Sequence, residues 1–171
     1  MKILFCVLFV CFGSIMCHGQ QTKLDSLLKL NADYRSSDYT KLNILNSLAE
    51  VYEWMQVDSG LAVADRAIVL GLQLNYQKGL ADAYLLKVNL LHYKGEIKER
   101  EKLLEKVLMI TANINDKNSL AEYYLQLARI RQGNERLALS RKALEVYSQT
   151  NNALGIGRAS FFLGRHVHSL S

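Results

Sequence analysis

The chain has 171 residues, half of them hydrophobic and 22% charged, with no proline and a formal charge of +5. That length gives one domain large enough to bury a real core, and its Leu, Ala, Lys and Glu between scattered Gly and Asn breaks favour helix over sheet. The basic excess is spread over most of the chain, without the clustered basic face that nucleic-acid binding requires, so it serves solubility.

The first segment reads as a leader. Met1 and Lys2 make a short positive start, and residues 3–15 form an apolar run shorter than the about 20 residues of a membrane-spanning helix. Cys17 and Gly19 place small residues at both recognition positions, so residues 1–19 are read as a signal peptide cleaved after Gly19. Loss of Lys2 with the leader lowers the charge to +4, and no membrane span remains. Acylation at Cys17 is the alternative, although Met16 stands where a lipobox carries a small residue. The expected location is therefore the periplasm, with a lipid anchor through Cys17 or secretion as alternatives. All three cysteines, Cys6, Cys11 and Cys17, lie in this leader. The mature part has no disulfide, thiol nucleophile or thiolate metal site, so packing alone must hold it.

Residues 20–39 read as a leading helix and linker. Leu24, Leu27 and Leu28 form a short amphipathic segment, broken by the polar run from Tyr34 to Asp38. The remaining residues, 40–171, read as a helical array. From Thr40, the residues Leu42, Leu45, Leu48, Ala49 and Tyr52 share one helical face. A turn at Gln56 to Asp58 follows, with Asp58 or Ser59 able to cap a helix carrying Leu61, Ala64, Ala67, Ile68 and Leu72. A second pair runs from Gln77 to Tyr93, turns at Lys94 and Gly95, and returns from Glu96 to Asn113. Its stripe of Leu80, Ala83, Tyr84, Val88 and Leu91 is answered by Ile97, Leu103, Leu104, Val107 and Leu108. In the third pair Leu120, Tyr124, Leu127 and Ala128 face Leu137, Leu139, Ala143, Leu144 and Val146 across a turn at Gln132 to Asn134. A last helix runs from Ala153 to His168.

Leu48, Lys87, Leu127 and Leu163 occupy one equivalent position in these segments, spaced by 39, 40 and 36 residues. A period of that size in a helical chain means stacked helix pairs, each unable to bury its apolar face alone. Breaks at Gly95, Gly133 and Asn151 exclude a long coiled coil. The fold class is all-α.

At these positions the chain resembles the tetratricopeptide repeat (TPR) family. The first-helix pattern appears as Leu48-Ala49 with Tyr52, as Leu127-Ala128, and as Leu163-Gly164 with Val167. The Gly-acidic turn matches Gly95 and Glu96, and the second-helix alanine matches Ala67 and Ala143. The closest second-helix match runs from Arg136 through Lys142 to Glu145. Lys87 departs from the leucine position, Val107 replaces an alanine, the closing proline is absent, and the first two repeats exceed the usual length of about 34 residues. The resemblance covers residues 40–168 and is strongest to the long variants at exported N-termini of Bacteroidetes sensor kinases, cyclases and regulators. It implies a right-handed superhelix of stacked antiparallel pairs, about three and a half repeats in all.

No catalytic constellation is present, so no enzyme activity and no cofactor are expected. His166 and His168 point away from one another on a helix, His92 is isolated and His18 leaves with the leader, which leaves no metal site. Gly155 and Gly157 lack the third glycine and the strand of a dinucleotide loop and read as small residues at a helix contact. The alternating Glu and Lys or Arg from Glu96 to Lys106 read as a solvated face.

The resemblance implies a concave face lined by the first helices, where a protein or peptide partner binds. Its groove positions map onto Asn43, Asn46, Glu50, Glu53 and Trp54, then onto Asp82, Leu85, Asn89, His92 and Tyr93. Glu122, Leu125 and Arg129 follow, and Arg158, Phe161, Arg165 and His168 close the set. Acid comes early and base late, which suits an extended peptide, with Trp54 as the anchor type. The expected function is an exported protein-interaction scaffold. The alternative is a truncated sensory ectodomain of a signalling protein (histidine kinase, cyclase or transcriptional regulator), because the last helix lacks a following partner. A homodimer through that helix is a third expectation.

Overall fold

The computed structural model describes residues 19–167, with side chains to residue 164. Residues 1–18 of the expected leader and His168 lie outside the described residues, and the side chains of Arg165 and His166 outside the described side chains. Eight helices make up the described part: α1 (19–33), α2 (Tyr39–Tyr52), α3 (Val57–Gln73), α4 (Gln77–Lys94), α5 (Ile97–Ile114), α6 (Lys117–Ala128), α7 (Gly133–Gln149) and α8 (Ala153–Val167). No strand occurs among the described residues, and no described helix is long and apolar enough to cross a membrane.

Turns of a few residues fold α2 on α3, α4 on α5 and α6 on α7, as the apolar stripes predict. The first helices also touch in succession, α2 with α4, α4 with α6 and α6 with α8, and form an inner layer. Each second helix packs between its own first helix and the next one. The long helix α1 is tied to the start of the array, where Lys41 Nζ donates to the carbonyls of Asn31 (2.5 Å) and Tyr34 (2.9 Å).

One backbone device closes four of these helices. Asn75, Gly95, Asn115 and Asn151 each adopt a left-handed conformation with φ between 51° and 73°, which glycine and asparagine tolerate best. The residue after each donates its N–H to a carbonyl five residues back: Tyr76 to Gly71, Glu96 to Leu91, Asp116 to Thr111 and Asn152 to Tyr147. The breaks at Gly95 and Asn151 are thus helix terminators, whereas Gly133, also left-handed, opens α7. At the starts, Asp38 caps α2 through the Lys41 N–H and Asp116 caps α6 through Asn118 and Ser119. The cap expected at Asp58 or Ser59 does not form. Helix α3 begins earlier, at Val57, so both residues fall within its first turn; Ser59 donates to the Gln56 side chain and Asp58 pairs with Lys94.

The core runs along the stack in three adjoining clusters, centred on Leu42, Leu48 and Leu90, on Leu104 and Val107, and on Leu125 and Phe162. Alanines with no exposed surface recur through it, among them Ala49, Ala64, Ala83, Ala128 and Ala143, and let helix backbones approach closely. Gly155 carries this furthest: a Cβ there would stand 2.3 Å from the ring of buried Tyr147. Gly155 is a contact residue, as the sequence reading has it, while Gly157 has open space around it.

Lys87 also finds its explanation. Its ammonium bonds Asp65 of α3 at 2.9 Å and Glu99 of α5 at 3.1 Å, linking two successive second helices where the family places leucine. Other readings need correction. Leu72, Ile97 and Leu108 are exposed rather than buried, because the second helices have solvent on their outer side and bury a narrow stripe. In α6 the buried set is Ala121, Leu125 and Ala128, while Leu120, Tyr124 and Leu127 are only half-buried. Gly155→Ala is expected to cost about 1–3 kcal/mol, the usual penalty for overpacking a tight contact, measured as a lower denaturant midpoint with unchanged slope.

Candidate functional site: the concave groove

The inner layer encloses a groove of about 640 Å³ that crosses α2, α4, α6 and α8. Helical spacing puts Asn46, Glu50 and Glu53 on the groove side of α2, and Asp82, Leu85 and Asn89 on that of α4. Glu122 and Arg129 of α6 and Arg158 of α8 continue the lining, and Trp54 stands on the turn after α2. Trp54 is 67% exposed, with its ring 6.5 Å from that of Tyr93 in an edge contact. Tyr93 Oη reaches Glu53 at 3.4 Å and its ring meets His92 at 5.6 Å, so Tyr93 and His92 form a rim beside the lining.

Not every expected position reaches the groove. Leu125 is corrected: it has no exposed surface and belongs to the core with Ala121 and Phe162. Asn43 and Phe161 are exposed but lie outside the lining, and the Arg165 side chain lies outside those described. The sequence reading missed Ser47, Leu86, Lys78, Asn118, Ser119, Tyr147, Asn152 and Leu154. Lys78 and Asn118 stand 40 residues apart at the starts of α4 and α6, so the period itself could have found them. Tyr147 had no such signal, since it reaches the groove from a second helix.

Two polar networks organise the floor. At one end Lys78 Nζ bonds Asp82 at 2.5 Å and Asp116 at 3.2 Å, with the Ser119 hydroxyl between them. Burial works against the Lys78 charge, but the two carboxylates win and raise its pKa. In the middle, Glu122 accepts from Gln126 Nε2 (2.6 Å), Tyr147 Oη (2.6 Å) and Arg158 Nη2 (2.8 Å). Burial alone would raise the Glu122 pKa; the Arg158 charge and these hydrogen bonds outweigh it and hold the carboxyl below its ordinary range. The same contacts, led by burial, push the Tyr147 phenol well up.

The charge gradient is thereby modified. Arg158 is committed to Glu122, which leaves Arg129 as the groove arginine without an ion pair among the described residues. Its Nη1 donates to Asn89 Oδ1 at 3.2 Å and to Gln126 Oε1 at 3.4 Å, and its guanidinium lies 5.1 Å from the Phe162 ring centre. Burial and the nearby Arg158 lower its pKa. On α2, burial raises the Glu53 pKa against the pull of Arg129 and Arg158. The groove offers amides, one carboxylate side, one guanidinium side and an aromatic lip, a surface equipped to hold an extended chain.

Stacked helix pairs with a continuous inner layer define a tetratricopeptide-type array, a non-catalytic scaffold fold whose members bind proteins. The chain belongs to the family described as the SusR N-terminal TPR domain, whose model matches residues 16–154. No curated protein matches the chain.

Because the Glu122 pKa is lowered in the folded state, its contribution is complete above the ordinary carboxylate value of 4.5 and is lost as pH falls through the lowered one. Glu122→Gln leaves Arg158 without its partner. It should cost about 2 kcal/mol at neutral pH, less than the 3–5 kcal/mol of a fully buried pair because Arg158 keeps some solvent. It should also flatten the acid limb of the stability curve below pH 4.5, read by chemical denaturation at a series of pH values.

Proposed function

We propose that this chain is an exported scaffold that binds a peptide or an extended segment of a partner protein in its concave groove, without catalysing a reaction. The observation that carries the reading is the groove itself: a mixed polar and apolar channel spanning four helices, with an exposed tryptophan at its lip. Trp and Arg are the residue types that dominate interface energetics, and Trp54 has lost little freedom to gain, being already braced by Tyr93. The leader read from residues 1–19 supports export to the periplasm.

Selection of a displayed peptide library on the purified chain tests the groove. Trp54→Ala should weaken the enriched peptides about 30-fold, the equivalent of about 2 kcal/mol for an anchor residue, with an unchanged melting temperature. Asn89→Ala should weaken them further. Peptides that bind both variants as well as the parent chain would count against the groove.

The family description favours a second reading, since it places such a domain at the N-terminus of SusR. Here the array is the sensory front of a longer signalling protein, and partner binding is the signal it passes on. Reading the DNA beyond the stop codon decides: an in-frame continuation into further helical or signalling sequence supports this reading, and unrelated sequence removes it.

A further inference from the structure

Asn46, Glu50 and Glu53 follow one another at helical spacing along the groove side of α2, and Trp54 stands next to them on the turn. Asn46 is only 9% exposed, and its Nδ2 donates to the Gly79 carbonyl at 3.1 Å. That bond fixes the amide, since a carbonyl can only accept, and its Oδ1 meets no donor among the described residues. Buried polar atoms in native proteins are almost always satisfied, so this acceptor calls for a donor entering from the groove. Leu85 and Leu125 hold the equivalent places in α4 and α6, so the repeat itself needs no amide here.

The acids of α2 are short of cations as well. Glu53 forms no ion pair among the described residues and accepts from Tyr93 Oη at a long 3.4 Å. Glu50 has Lys23 of α1 at 3.9 Å, with both side chains more than half exposed, a pair that contributes little. The cations of the groove are spent elsewhere: Arg158 on Glu122, Lys78 on Asp82 and Asp116, and Arg129 on the amides of Asn89 and Gln126. Burial raises the Glu53 pKa, and the more distant charges of Arg129 and Arg158 do not offset it. Trp54 and Tyr93 complete the corner. Their rings meet edge to face at 6.5 Å, both in reach of solvent, and aromatic faces of this kind attract a cation.

We propose that the corner made by Asn46, Glu50, Glu53, Trp54 and Tyr93 binds a lysine or arginine side chain of the bound peptide. The inference deepens the groove reading and rests on it only for the cation belonging to a peptide. The aliphatic stem lies against the Trp54 ring, Glu50 and Glu53 supply the counter-charge, and Asn46 Oδ1 accepts from the cationic head. An ammonium carries three donors and a guanidinium five, enough to serve the amide and a carboxylate together. Asn46 Oδ1 is closed to water in the free chain, and the exposed Glu50 side chain one turn away has the freedom to shift and admit the head. The chain as a whole is basic, so its overall field does not draw such a side chain in; the corner does.

Trp54 is the one tryptophan of the chain, so its fluorescence reports on the corner directly. The probes are acetyl-Ala-Ala-Lys-Ala-Ala-amide, its arginine counterpart, and its norleucine counterpart, which keeps an aliphatic stem and loses the charge. At least one cationic probe should change the emission saturably, with the norleucine peptide binding about tenfold more weakly or not at all. Glu53→Gln should weaken the cationic probe about tenfold. It should also keep or raise the melting temperature, because it removes a carboxylate whose charge burial disfavours. Asn46→Leu, which restores the residue type of the equivalent positions, should weaken the probe likewise and serves if Glu53→Gln does not fold. Equal binding of the lysine, arginine and norleucine peptides overturns the site. So does silence from both cationic probes, or a cationic response untouched in both variants. Selected partners that lose binding in Trp54→Ala but not in Glu53→Gln or Asn46→Leu leave the groove reading standing and remove the cation site. A cationic response that depends on Glu53 and Asn46, where no library peptide depends on Trp54, does the reverse.

Discussion

A two-helix hairpin of this length exposes an apolar stripe on each side, and only a neighbouring hairpin can cover both. That constraint governs the structure. It demands that helix axes come close together over the whole stack, which explains the alanines with no exposed surface and the contact of Gly155 with the Tyr147 ring. It also demands that each helix stop at a set place, which left-handed Asn and Gly residues accomplish for α3, α4, α5 and α7 through the same five-residue backbone closure. Packing contributes the bulk of the stability because no cysteine lies beyond residue 17 to form a crosslink.

The groove is the by-product of that stacking. First helices laid side by side present one face each to a common channel, and polar residues accumulate there because that face is not needed for the core. Their charges are then sorted by proximity. Glu122 collects Arg158, Tyr147 and Gln126 and is neutralised there, while Lys78 sits between Asp82 and Asp116 and leaves one negative charge in excess. Arg129 joins the first network only through the Gln126 amide and has no ion pair among the described residues. The lasting polarity of the channel therefore arises from its unmatched groups, not from the total of acids and bases along the chain.

Much of the fold is legible in the residues. Hydrophobic spacing located the helix pairs to within a few residues, and the 39- and 40-residue intervals between Leu48, Lys87 and Leu127 marked them as equivalent. Faces were harder to read. Leu120, Tyr124 and Leu127 suit the core as well as Ala121, Leu125 and Ala128 do by hydrophobicity alone, yet only the second set faces inward fully. The groove was legible where it depends on first-helix register, as at Asn46, Asp82, Asn89 and Arg129, and illegible where a second helix reaches across, as at Tyr147. Lys87 looked like a defect in the repeat because its partners, Asp65 and Glu99, lie on other helices.

The sequence by itself determined the period, the helix ends and the all-helical class, since each depends on local chemistry: apolar spacing of a helical turn, and Asn or Gly where the backbone turns left-handed. Only the tertiary structure decided how each helix is rotated about its axis, which charges meet, and which remain unmatched. Those outcomes depend on distances between residues far apart in the chain. Arg100 shows the difference most clearly: in sequence it is one basic residue in an alternating charged run, and in the folded chain it is buried, with Nε and Nη2 meeting no acceptor among the described residues.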